Sequence, residues 1–276
     1  QGDSVAWRRP TRIPVLDGAL EIDALSWQRE TAGPALRFSG RLQPIPLAEL
    51  TRALGWPALS GSLSGEIPAL HYRAPSAAGD SGELGVDGTL TVRAFAGEIA
   101  IDRLRLTDVL GIYPILEADI GIRGLDLETL TETFAFGRIT GRLDGAVNGL
   151  RLEAWQPVAF DARLHTPVGD RSTRRISQQA VDTLSNLGGS GASGAVARGL
   201  LGLFEEFRYA RLGIGCRLRD GQCEMRGVEP AERGYYLVKG AGIPRIDIIG
   251  YNRTADWQTL LWQLRQSTAI GSPVID

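Results

Sequence analysis

The sequence predicts a mainly β fold with short helices, an α+β chain in which one elongated, strongly curved antiparallel sheet carries an apolar face that forms an open groove, built from repeats. Three observations predict it. Apolar and polar residues alternate with period two in several runs. A chain that is 43% hydrophobic is punctuated by 35 glycines and 14 prolines, which favours many strands and turns over long helices. Finally, the pattern of residues 47–70 returns without gaps at 127–150, an offset of 80.

The alternation is clearest at Leu90, Val92 and Ala94, and again at Val158, Phe160, Ala162 and Leu164, with polar residues between them. Ile99 and Ile101 continue it before Leu104 and Leu106 switch parity, which predicts a bulge or bend near Asp102-Arg103. A sheet with one apolar face must cover that face or have it filled, and the few short helices predicted here are too little cover for so many strands. An acyl chain fits such a space, with each buried CH₂ contributing about 0.8 kcal/mol. The candidate groove lining is Leu63, Ile67, Leu90, Val92, Ile99, Ile101, Leu143, Val147, Phe160 and Leu164.

In the repeat, Leu47, Leu50 and Thr51 fall on Leu127, Leu130 and Thr131, and Trp56 falls on Phe136. Leu59, Gly61, Leu63, Gly65, Ile67 and Leu70 fall on Ile139, Gly141, Leu143, Gly145, Val147 and Leu150. Each copy reads as a short helix followed by a strand in which glycines alternate with apolar residues. Pro46 starts one helix, and Asp126 is a candidate N-cap for the other. Residues 1–167 therefore read as a repeat-built segment with units around 38–72 and 118–152, and chance similarity between β-rich stretches is the competing explanation. Residues 168–276 read as a C-terminal segment packed on the same sheet.

That segment opens with a helical pattern from Arg175 to Leu187, ended by Gly188-Gly189, and a second from Val196 to Phe207. Strands return over 208–251, and a terminal helix runs from Asp256 to Leu264. Asp220-Gly221 is a hairpin-turn signal that places Cys216 and Cys223 on adjoining strands. Alternation allows the two sulfurs to meet across the ladder, and it equally allows two buried thiols.

Several classes fall away. A formal charge of -2, with Lys239 the only lysine, gives no basic surface for nucleic acid and no lysine-rich segment for anionic lipid. No apolar run is long enough to span a membrane, and Gln1 to Pro10 lacks a signal-peptide layout. Because Gln1 leads straight into Val5, Trp7 and a strand-like Ile13 to Leu16, the chain is expected to begin inside a longer polypeptide, with any anchor upstream.

Gly189-Ser-Gly191-Ala-Ser-Gly194 satisfies the spacing of a dinucleotide loop, but a helix precedes it and no βαβ unit surrounds it. Gly61-Ser-Leu-Ser-Gly65 places Leu63 where a nucleophile elbow needs serine. His71 and His165 have no nucleophile or ligand spacing beside them, and the C-x₆-C pair lacks the histidines of a zinc site. No catalytic residue, cofactor or metal is expected, and the chain is not expected to be an enzyme.

Specific resemblance lies in the second half: Arg175-Ile-Ser-Gln-Gln-Ala-Val-Asp-Thr-Leu-Ser-Asn-Leu-Gly-Gly189, Gly213-Ile-Gly-Cys-Arg-Leu-Arg-Asp-Gly-Gln-Cys-Glu-Met225, Gly234-Tyr-Tyr-Leu-Val-Lys-Gly240, Pro244-Arg-Ile-Asp-Ile-Ile-Gly-Tyr-Asn-Arg253 and Asp256-Trp257. Gly141-Arg-Leu-Asp-Gly145 and Pro157-Val-Ala-Phe-Asp161 extend it upstream. Together these resemble the C-terminal region of the AsmA-like YdbH family of bacterial envelope proteins, which also carries a "dicarboxylate transport" label. The resemblance covers about half the chain, and residues before 130 match only in general style.

It implies a periplasmic protein tethered to the inner membrane by an N-terminal helix, with a curved sheet that conducts phospholipid to the outer membrane. Its C-terminal end would meet a small outer-membrane lipoprotein by strand addition. A Cys216–Cys223 disulfide follows from that compartment. The dicarboxylate label fits less well, because small dianions need convergent cations and the alternating apolar faces suit acyl chains. The competing reading is a scaffolding β-domain that recruits such a lipoprotein by strand addition without carrying lipid.

Overall fold

The structure, a computed structural model, describes residues 4–7, 9–30, 33–53, 61–75, 82–109, 111–187 and 204–269. The chain is mainly β, its strands forming a large antiparallel sheet. In order the elements are β1 (Ser4–Trp7), β2 (Thr11–Val15), β3 (Gly18–Glu30), β4 (Gly33–Pro46), α1 (Leu47–Ala53), β5 (Ser62–Arg73), β6 (Glu83–Asp87), β7 (Leu90–Ala94), β8 (Gly97–Thr107), β9 (Ile115–Asp126) and α2 (Leu127–Thr133). They continue with β10 (Arg142–Glu153), β11 (Gln156–His165), β12 (Arg175–Ser177), α3 (Gln178–Leu187), β13 (Glu206–Arg219), β14 (Gln222–Gly227), β15 (Glu229–Pro230), β16 (Tyr235–Gly240), β17 (Ile248–Gly250), β18 (Thr254–Asp256) and α4 (Trp257–Ala269).

Two compact units divide the chain. Gln1–Ile122 and Val147–Phe160 form the first, and Arg123–Ala146 and Asp161–Asp276 form the second. In the first, β3 and β4 form a long hairpin ladder that continues through β5 and β6 to β8. In the second, β13 pairs with β12, β14 and β16.

Leu47 and Gly61 have the same local setting as Leu127 and Gly141, the residues 80 positions later. Both helices begin directly after the preceding strand, α1 at Leu47 and α2 at Leu127. Leu47 N–H donates to Gly61 O at 3.0 Å, and Leu127 N–H donates to Gly141 O at 3.0 Å. Gly61 and Gly141 both have positive φ, 118° and 122°, which a side chain would strain. Both leucines are buried. Trp56 and Leu59 lie outside the described residues.

Asp126 caps α2, its carboxylate accepting from Thr129 N–H at 2.9 Å. Within that helix, buried Thr131 donates from its hydroxyl to Leu127 O at 2.8 Å and accepts from Ile139 N–H at 3.1 Å. Thr131→Val keeps the shape but leaves the Ile139 N–H buried without an acceptor. Urea denaturation is expected to show a loss of about 1–3 kcal/mol, and an unchanged midpoint would mean that water replaces the hydroxyl.

The C-terminal elements depart from expectation in two places. The predicted helix from Arg175 starts at Gln178, because Arg175–Ser177 pairs with β13 and seats Ile176 opposite Phe207. Of the predicted helix Val196 to Phe207, residues 196–203 lie outside the described residues, and Phe207 is on a strand, buried in β13. A phenylalanine followed two positions later by Tyr209 suits strand alternation as well as it suits a helical stripe. The terminal helix forms as α4, with Asp256 accepting from Thr259 N–H at 2.8 Å.

Candidate apolar sheet face

Strand register places apolar residues of the first unit in two rows across the sheet. Val5, Trp27, Leu36, Tyr72, Leu84 and Leu106 stand directly opposite one another on β1, β3, β4, β5, β6 and β8. Beside them, Trp7, Leu25, Phe38, Leu70 and Val86 make a second row. Residues two apart on a strand share a face, so both rows lie on one side. The intervening positions form polar rows on the other side: Ser26, Arg37, His71, Gly85 and Arg105, then Gln28, Ala35, Arg73, Glu83 and Thr107. Glu83 there pairs with Arg73 and Arg105, each at 3.3 Å.

Bulges keep the apolar face continuous where the sequence changes parity. Between Ile22 and Ala24, and between Phe38 and Gly40, the register shifts by one residue, which returns Ile22 and Ile67 to the side that carries Leu25 and Leu70. On β8 the switch between Ile101 and Leu104 coincides with Arg103, whose φ is 52°. There β8 changes partner, pairing with β7 through Ile101 and with β6 from Arg105.

Five residues of the first row, Trp27, Leu36, Tyr72, Leu84 and Leu106, are half-buried, and Val5 is exposed. The second row is also mostly half-buried, although Val86 is buried and Trp7 exposed. In contrast, the largest fully buried side chains, Ile176, Leu218, Leu237, Val238 and Cys223, all belong to the second unit. Among the described residues the second unit therefore holds the most deeply packed large side chains, while the apolar face of the first keeps contact with solvent.

Of the ten residues expected to line a groove, nine are half-buried and one is buried. Leu90 and Val92 stand directly opposite Ile101 and Ile99, and all four are half-buried. Leu63 and Ile67 are half-buried opposite Ile45 and Gly40. Val147, Phe160 and Leu164 are half-buried too, but Leu143 is only 4% exposed and belongs to packed interior. The two rows from Val5 to Leu106 were missed from sequence. Their signal was alternation at Leu25 and Trp27, and at Leu36 and Phe38, interrupted by bulges.

Polar clusters elsewhere are internally paired. A cleft of about 790 Å³ in the first unit is lined by His71, Asp87, Thr89, Asp102, Arg103, Glu117, Asp119 and Arg151, among others. In it Thr89 donates to Asp102, Arg103 pairs with Asp119, and Arg151 pairs with Glu117 at 2.7 Å. Asp119 also accepts from the N–H of Gly149, whose φ is 58°, at 2.7 Å. Among the described residues no three His, Cys, Asp or Glu side chains form a metal site.

In the second unit Asp161 accepts from Arg217 and Arg226, each at 2.9 Å. Partial burial pushes its carboxyl up, but the two guanidiniums outweigh this and hold it below the usual carboxylate range. Its folded-state pKa is thus lower than its unfolded one. The stability it contributes is complete above the unfolded value of about 3.9 and is lost as pH falls through the folded value. Asp161→Asn should cost about 1 kcal/mol or less near neutrality, because the carboxylate is a third exposed. The gap between parent and variant in urea titrations should close as pH drops below about 4. A gap independent of pH would assign the effect to packing.

Cys216 and Cys223 are joined in a disulfide across β13 and β14, with Cα atoms 5.5 Å apart. The connecting turn is Asp220-Gly221, both with positive φ, as a two-residue hairpin turn requires. No helix among the described residues is long and apolar enough to cross a membrane. Comparison with protein-family models, with curated proteins and with solved structures gives no match.

Proposed function

We propose that this chain is a segment of a periplasmic, bridge-like protein of the AsmA-like YdbH type that carries phospholipid between the inner and outer membranes. The acyl chains would lie on the apolar face of the first unit, within a curved hydrophobic groove built from repeats. The observation that carries this reading is the pair of apolar rows across the ladder, half-buried and backed by polar rows. A sheet designed only to stand in water has no use for Trp27, Phe38 and Tyr72 on a face left partly open. Each CH₂ laid against it would contribute about 0.8 kcal/mol, enough for a partly buried acyl chain to bind without a dedicated polar site.

Other supports are independent. The matching Leu47–Gly61 and Leu127–Gly141 hydrogen bonds favour a repeated unit. The disulfide favours an oxidising compartment. The likeness of the C-terminal sequence to the YdbH family supports the tether to the inner membrane and an outer-membrane lipoprotein partner that joins by strand addition. The reading assigns no catalytic residue and no cofactor.

Native mass spectrometry with lipid extraction, on protein purified from the periplasm, tests it. Co-purifying phospholipid is the expected result. Protein free of lipid that still captures a lipoprotein would favour the scaffolding role instead.

A further inference from the structure

Two neighbouring loops of the first unit form an apolar tip that the fold does not use. The turn between β10 and β11 is Ala154-Trp155, with φ 47° and 64°. That pair of left-handed residues is ordinarily Asn-Gly, because a side chain there is strained. A similar turn at Phe95-Ala96 has a visible reason, since Phe95 is 7% exposed and packs into the core. Trp155 has none. It is 57% exposed, and among the described residues nothing accepts from its indole N–H.

The adjoining loop adds Ile112, 99% exposed, and Tyr113, 52% exposed. The two loops are fastened together: Ala154 N–H donates to Pro114 O at 2.9 Å, and the Tyr113 hydroxyl donates to Glu153 at 2.8 Å. Asp108 holds the second loop from within, its carboxylate accepting from Tyr113 N–H at 2.9 Å and its carbonyl from Gly111 N–H at 2.9 Å. Arg151 pairs with Glu153 at 2.9 Å and with Glu117 at 2.7 Å, one guanidinium serving two carboxylates.

We infer that Ile112, Tyr113 and Trp155 form a preorganised tip that docks on a lipid membrane surface, inserting into the interfacial layer. The composition favours that partner. Trp and Tyr each present an apolar ring with a polar end, which suits the boundary between acyl chains and headgroups, and isoleucine supplies the hydrocarbon-soluble part. Such a tip enters a fluid lipid surface without needing a matching cavity, and the carboxylate excess at its base, Glu117, Glu153 and Asp108 against Arg151, favours a zwitterionic surface over an anionic one. Docking of this kind is separate from lipid carriage and does not require the apolar face to be occupied.

The test is sedimentation of the whole chain with zwitterionic vesicles of phosphatidylethanolamine and phosphatidylcholine, comparing the parent with Ile112→Ser/Trp155→Gly. Glycine suits the left-handed turn, so the variant should melt no lower than the parent, and weakened binding cannot be ascribed to unfolding. Vesicle affinity is expected to fall by about tenfold or more, the equivalent of 1.4 kcal/mol. Ile243→Ser, at another fully exposed isoleucine, should change nothing.

Unchanged sedimentation of the double variant overturns the proposal, and so does an equal loss in Ile243→Ser. If the double variant sediments normally but loses a protein partner, the tip serves protein recognition and membrane docking is wrong. Lipid co-purifying with the double variant as with the parent leaves the carriage role intact, which keeps the two readings separable.

Discussion

Leu36→Asp combined with Leu84→Asp is expected to strip bound phospholipid from the protein while leaving it folded. The two leucines flank Tyr72 in one apolar row, and all three are half-buried, so a carboxylate at either end can stay hydrated when no lipid is present. With an acyl chain in place, each carboxylate would have to lose water. Charged groups placed in hydrocarbon cost about 2.5–3.5 kcal/mol even on the lenient insertion scale, so two should lower lipid occupancy at least a hundredfold. Native mass spectrometry reads this directly. Ser26→Asp, on the opposite face, is the control and should retain lipid. A double variant as fully loaded as the parent would remove this face from the function.

Leu218→Ala is expected to have the largest effect on stability. Leu218 is 0% exposed and stands directly opposite Cys223, itself fully buried, with Cys216 two residues away on the same strand. Truncation removes apolar contacts and leaves a cavity that the disulfide, by tethering both strands, hinders from collapsing. The loss should be about 2–5 kcal/mol by urea denaturation. Leu84→Ala, on the half-open face, should cost about 1 kcal/mol, since less area is removed from water there. Equal losses at the two sites would contradict the contrast between a packed second unit and a partly open first one.

Local chemistry was legible wherever a single residue decides a boundary. Pro46 and Asp126 mark α1 and α2, Asp256 starts α4, and Asp220-Gly221 makes the turn between β13 and β14. The parity switch at Asp102-Arg103 also foretold the left-handed Arg103. Long-range register was not legible. Nothing in the sequence states that Leu36 meets Tyr72, and the bulges that keep Ile22 and Leu25 on one face look in sequence like broken alternation. Leu143 and Leu63 occupy matching repeat positions, yet one is buried and the other half-buried, because burial depends on what each copy packs against. Arg175–Ser177 looked helical because pairing with a strand some 30 residues away cannot be seen in local periodicity.

The ladder that aligns Val5 with Leu106 also sets a length scale. Six strands spaced about 4.8 Å apart place the ends of that row roughly 24 Å from each other. The hydrocarbon of one membrane leaflet is about 15 Å deep, half of a 30 Å core, so a lipid tail laid along the row, as proposed, would not reach both ends. It can slide. For each strand passed, the area uncovered behind equals the area covered ahead, while the backbone amides beneath stay engaged in the ladder and offer no polar trap. On the proposed reading the row would be a rail of nearly even energy, along which transport would need a gradient of lipid and no stroke by the protein.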